Sequence, residues 1–98
     1  MSAVDEVQAL TQSIGEHAVQ AIGREHLAAL AVVVNPIDLT ARITVGLREN
    51  SDYEQQRALE ALFEVQELFF EDASMTFGFG VDDGLPTEGS TQRQYQFA

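Results

Sequence analysis

The segment Leu27-Ala-Ala-Leu-Ala-Val-Val-Val-Asn-Pro-Ile-Asp-Leu-Thr-Ala-Arg-Ile-Thr-Val-Gly-Leu47 decides the fold. Its first eight residues are apolar throughout, as in a strand with little water on either face. Asn35-Pro36-Ile37-Asp38 has turn chemistry, since Pro36 fixes φ and the Asn35 and Asp38 side chains can bond the backbone nearby. From Leu39 the pattern alternates. Leu39, Ala41, Ile43, Val45 and Leu47 point one way, and Thr40, Arg42, Thr44 and Gly46 point the other. Period-two alternation with β-branched residues marks a strand, and the short connection makes the pair an antiparallel hairpin.

Two helices flank this hairpin. Upstream, Val4, Val7, Leu10, Ile14, Ala18, Ala21 and Ile22 recur at three- and four-residue steps, an apolar stripe over residues 3–22 that Gly23 is placed to end. Gly15 falls within that span and costs about 1 kcal/mol against alanine, so either the helix bends there or something approaches closely. Downstream, Ser51-Asp-Tyr-Glu54 is a capping box opening a helix over residues 52–71. Its apolar face comprises Ala58, Leu59, Leu62, Val65, Phe69 and Phe70, with Phe63 at the margin and Gln66 within the stripe, where it needs a hydrogen-bond partner. Period two then returns: Met75, Phe77, Phe79 and Val81 alternate with Ser74, Thr76, Gly78 and Gly80, a third strand.

The order is therefore α-β-β-α-β, with residues 1–81 as one α+β domain. The stretch 82–90 is dense in turn formers, and Thr91–Phe97 alternates weakly, with Arg93, Tyr95 and Phe97 on one side. Residues 82–98 read either as a loop and tail or as carrying a fourth, edge strand. Two helices on one face of a three- or four-stranded mixed sheet satisfy every stripe, which defines a two-layer sandwich. The unit of strand two, helix two and strand three should be a right-handed parallel crossover.

Composition narrows the chemistry. Ninety-eight residues carry 16 acids and 5 basic residues, all arginine, for a net charge of −11. A chain of this size buries about 60–65% of its unfolded surface, enough for one core. Without cysteine there is no disulfide, thiolate metal site or thiol chemistry. The net field opposes nucleic acids and anionic membranes. No apolar run approaches membrane length, and the acidic, amphipathic start is unlike a signal peptide, so the expectation is a cytoplasmic protein.

Catalytic signatures are lacking: the sequence contains no GxGxxG, P-loop, GxSxG or HExxH. His17 and His26 each follow a glutamate without forming an i, i+4 histidine pair, and read as structural or surface residues; no metal site or cofactor is expected. Asp82-Asp83-Gly84 with Glu88 has adjacent rather than alternate acids and reads as a turn, not a calcium loop.

Two surfaces could carry function. One is the second face of the sheet: Thr40, Arg42, Thr44 and Gly46 with Thr76, Gly78 and Gly80. Its side chains are mostly small, and glycine weakens a strand interior unless a backbone or ligand comes near. Strand one is too apolar to leave a face in water, so the expectation is cover by a second subunit, a partner or the C-terminal segment, against an ordinary solvated face. The other is Glu60, Glu64, Glu67 and Glu71, a row opposite the core stripe of helix two, within a segment 51–72 holding seven acids and one arginine. It is either a docking strip for a basic partner or a solvated face. The leading expectation is a non-catalytic interaction or regulatory module that self-associates, as a homodimer, through the sheet face. The alternatives are a small acidic inhibitor of a basic enzyme, of the immunity-protein or antitoxin kind, and a small ligand-binding domain or enzyme.

Overall fold

A computed structural model describes residues 3–49, 51–80 and 91–97. Helix α1 (Ala3–Ile22) leads through a 3-10 turn (Arg24–His26) into strands β1 (Leu27–Asn35) and β2 (Thr40–Leu47); helix α2 (Asp52–Phe69), β3 (Ser74–Phe79) and β4 (Thr91–Gln96) follow. The arrangement is the expected α+β two-layer one. Val81 and the acidic stretch at Asp82, Asp83, Gly84 and Glu88 lie outside the described residues.

The boundaries follow from local chemistry. Gly23 takes φ +99° while its N–H donates to the Val19 carbonyl at 2.9 Å, ending α1. In the hairpin turn the Asn35 carboxamide oxygen accepts from the Ile37 N–H at 2.9 Å, and Asp38 accepts from the Thr40 N–H at 3.1 Å. Leu39 departs from the expected alternation: at φ 54° it is 41% exposed, and its carbonyl accepts from the Ser74 N–H at 3.0 Å. At the start of α2 the Ser51 hydroxyl accepts from the Glu54 N–H at 3.2 Å. The Glu54 carboxylate does not mirror that bond; it points at His26.

The sheet order is β3-β2-β1-β4, with β1 antiparallel to both its neighbours and β2 parallel to β3. A parallel pair needs a crossover, which α2 supplies. The register sets rows across the helix-side face: Tyr95, Leu30, Val45 and Phe79 in one, then Arg93, Val32, Ile43 and Phe77, then Val34, Ala41 and Met75. A register irregularity between Leu27 and Ala29 lets both Leu27 and Leu30 point inward, three residues apart. Above these rows α1 contributes Val7, Ile14, Ala18 and Ile22, and α2 contributes Ala58, Leu62 and Val65. The helices pack on each other, α1 over β1 and β4 and α2 over β3. Ile14, Leu27, Val32, Ile43 and Leu62 have no exposed surface, and each such side chain is worth about 1.5–3 kcal/mol of burial.

Gly15 is explained by a close approach. A Cβ there would lie 2.6 Å from the Tyr95 hydroxyl and 2.7 Å from its ring, so β4 seats its aromatic side chain against bare helix backbone. The Tyr95 hydroxyl is buried and has no hydrogen-bond partner among the described residues.

Candidate interaction surfaces

Opposite the core rows, the sheet presents a second set. Gln96, Ala29 and Gly46 form one; Gln94, Ala31, Thr44 and Gly78 the next; then Val33, Arg42 and Thr76; and Asn35, Thr40 and Ser74 the last. Neither helix reaches this side, because the residues that α1 and α2 bury belong to the other. The face is flat and small-chained, with an apolar line of Ala29, Ala31 and Val33 along β1. A shallow depression of about 470 Å³ lies over β4, β1 and β2, floored by Ala29, Ala31, Thr44 and Gly46 and edged by Gln94 and Gln96.

Exposure along the face is graded. Thr40, Arg42 and Thr76 are exposed, whereas Thr44, expected to be accessible, is only 6% exposed in the middle of the sheet between Ala31 and Gly78. Gly80 is not a strand residue. It lies just past β3 at φ +112° and donates its N–H to the Val45 carbonyl at 3.0 Å, a turn in a backbone region that favours glycine. Gly46 and Gly78 are not forced by their surroundings. A Cβ on Gly46 would meet Ala29 at an ordinary 3.6 Å, and one on Gly78 would meet nothing within 4 Å. Among the described residues, no neighbour within this chain therefore requires glycine at either position.

The outer side of α2 is a different surface. Glu60, Glu64, Glu67 and Glu71 are all exposed, and among the described residues none of them makes an ion pair. Their row is bordered by large apolar side chains. Phe63 is 52% exposed, with its ring edge-on to Phe77 at 5.9 Å; Phe70 is 69% exposed and Leu68 64%. Phe70 had been expected in the core stripe. It is the C-terminal cap residue of α2, one position past Phe69, and at 100° per residue it falls beside the glutamate row while Phe69 turns inward. Gln66 is only half-buried, at the margin of the stripe rather than its centre.

Both histidines make contacts between elements. His17 Nδ1 donates to the Ser13 carbonyl at 2.8 Å, and its ring lies edge-on to Phe69 at 5.3 Å, tying α1 to α2. His26 bridges two elements: Nδ1 is 3.1 Å from the Glu54 carboxylate, and Nε2 is 3.0 Å from the Arg57 guanidinium. The Arg57 guanidinium lies against the imidazole, 3.0 Å from Nε2 and 3.4 Å from Nδ1, and together with the Glu54 contact it fastens the 3-10 turn to the first turns of α2. Among the described residues no group of three or more histidines and acids could hold a metal ion. No helix is long and apolar enough to cross a membrane among the described residues.

Sequence reasoning missed two contributions to these surfaces. Ala29, Ala31 and Val33 became identifiable as one outward line only with the strand register, and Gln94 and Gln96 only with the pairing of β4. Comparison with protein-family models, with curated proteins and with solved structures finds no match.

Proposed function

We propose that the protein is a non-catalytic protein–protein interaction module that self-associates through the open face of its sheet. The observation supporting this reading is the one-sided layering: both helices lie on one face, leaving the Ala29–Ala31–Val33 line, flanked by Thr40, Arg42, Gly46, Thr76 and Gly78, without cover from either helix. Stacked sheets pack about 10 Å apart through interdigitating side chains, and small residues on a flat face let a second sheet come that close. An apolar strand line gains by leaving water, at roughly 25 cal/mol per Å².

The test is sedimentation velocity over a concentration series. Wild type should show a concentration-dependent dimer. Gly78→Lys, at a position where an added Cβ meets nothing within 4 Å among the described residues, should give a monomer that circular dichroism shows to be folded. Thr76→Lys, on an already exposed position, should weaken the dimer without affecting the fold. A wild-type monomer at high micromolar concentration, or dimers undisturbed by both variants, would remove the reading.

A further inference from the structure

Of the six large apolar side chains that are well exposed among the described residues, four belong to α2 and its cap: Tyr53, Phe63, Leu68 and Phe70. Tyr53 stands about 15 Å along the axis from Phe63, whereas Phe63, Leu68 and Phe70 fall within the last two turns, a local clustering unlike the single scattered apolar residues that are ordinary on a surface. At 100° per residue, Phe63 and Phe70 lie on one side of the Glu60–Glu64–Glu67–Glu71 row and Leu68 on the other. The two phenylalanines are seven residues apart, about 10 Å along the axis, so one helix laid alongside α2 meets both.

From this juxtaposition we infer that the outer side of α2 docks a basic amphipathic helix of another protein: its lysines or arginines face the glutamate row, and its apolar side chains seat on Phe63 and Phe70. The surface is on the helix layer, opposite the sheet face, so the inference stands independently of self-association.

Charge selects this occupant over the others. Four carboxylates without a cation of their own repel an anionic lipid surface. A second copy meeting this ridge by its own ridge would set glutamates against glutamates. The chain contains no lysine. Of its five arginines, Arg57 is held by His26, Arg24 and Arg93 lie over the Phe97 and Tyr95 rings at 5.4 and 5.7 Å, Arg42 projects from the sheet face, and Arg48, at the end of β2, already has a partner. The cations must come from elsewhere. The apolar border distinguishes docking from plain charge attraction, because only a partner with its apolar side chains aligned on one face can cover Phe63 and Phe70 while its cations meet the glutamates.

The probe is a synthetic 18-residue peptide of lysine and leucine at amphipathic helical spacing, compared with a scramble of the same composition that lines up no apolar face. Fluorescence anisotropy should show the patterned peptide binding at least about tenfold more tightly than the scramble, with affinity falling as salt rises. Phe63→Ser/Phe70→Ser should cost about tenfold or more for the patterned peptide and leave scramble binding unchanged, and Glu64→Gln/Glu67→Gln should flatten the salt dependence. All four positions are exposed, and circular dichroism checks that the variants stay folded. The Gly78→Lys protein should bind the peptide as wild type does, which separates failure here from failure of the sheet-face proposal. Equal binding of both peptides would reduce the surface to a polyelectrolyte, and no binding would remove it. A change in oligomeric state for Phe63→Ser/Phe70→Ser, without loss of peptide binding, would assign the ridge to a second copy and overturn the inference.

Discussion

The sheet has two edges, and they are finished differently. At β4 the outermost strand is fastened to the helix layer: Tyr95 lies against Gly15, so close that even a methyl group on the helix would collide with it. At β3 the corresponding aromatic side chains stay at the rim. Phe77 is half-buried, Phe63 covers it edge-on while half in water, and Phe70 stands clear of both. One edge spends its aromatic residue on intramolecular packing and accepts an orphaned hydroxyl in return. The other keeps its aromatic surface accessible. Tight packing within a chain and availability to another molecule are opposed uses of the same side-chain type, and this protein separates them by three interstrand spacings.

Stability measurements should expose the asymmetry. Tyr95→Ala removes a ring wedged between β4 and α1, and we expect a loss of about 2–3 kcal/mol, below the range for a fully buried aromatic because the residue is only half-buried. Phe63→Ala, at a residue 52% exposed, should cost less than about 1 kcal/mol. Urea unfolding of both variants at one protein concentration, so that any self-association contributes alike, compares the two edges directly. Equal losses would mean that β3 is fastened as firmly as β4.

Which parts of this could be read from residues alone follows from the range of the interactions involved. The strands at 27–35 and 40–47, both helices and the α+β layering rest on periodicity, capping and turn chemistry. Those signals lie within a few residues of one another, as the Ser51 cap and the Asn35 and Asp38 turn bonds illustrate. Gly15 was legible as an anomaly with two explanations, bend or close approach; choosing between them required knowing that a residue eighty positions away lies above it. The open sheet face was partly legible, since Thr40, Arg42 and Thr76 follow from alternation. The burial of Thr44 and the joining of Ala29, Ala31 and Val33 into one surface depend on strand order, which no local pattern specifies. Phe70 was misplaced because the apolar stripe of α2 is wide there, and two adjacent phenylalanines cannot both face inward on a helix.

A second measurement uses the collision itself. Gly15→Ala gains about 1 kcal/mol of helix propensity but puts a methyl group 2.6 Å from the Tyr95 hydroxyl, an overpacking whose cost is about 1–3 kcal/mol. The net change in wild type should be a loss of up to about 2 kcal/mol. In a Tyr95→Ala background the obstruction is gone, and the same substitution should become stabilising by about 1 kcal/mol. This reversal of sign within a double-mutant cycle is the signature of direct contact. If Gly15→Ala destabilises by the same amount in both backgrounds, the glycine serves some purpose other than admitting the ring.

The smallest effect concerns one atom. The Tyr95 hydroxyl is buried without a hydrogen-bond partner among the described residues, and an unsatisfied buried polar group forfeits its bonds to water on folding, at about 1–3 kcal/mol. Tyr95→Phe keeps the ring, hence its packing on Gly15, and removes that penalty together with the shortest part of the contact. The variant should therefore be more stable than wild type by up to about 1 kcal/mol, a few degrees in thermal midpoint for a domain of this size. Phenylalanine at this position should also narrow the deficit of Gly15→Ala, because the atom at 2.6 Å has gone while the ring carbon at 2.7 Å remains. A Tyr95→Phe protein less stable than wild type would mean that the hydroxyl holds a bond after all, and that the β4 edge is secured by polar contact as well as by fit.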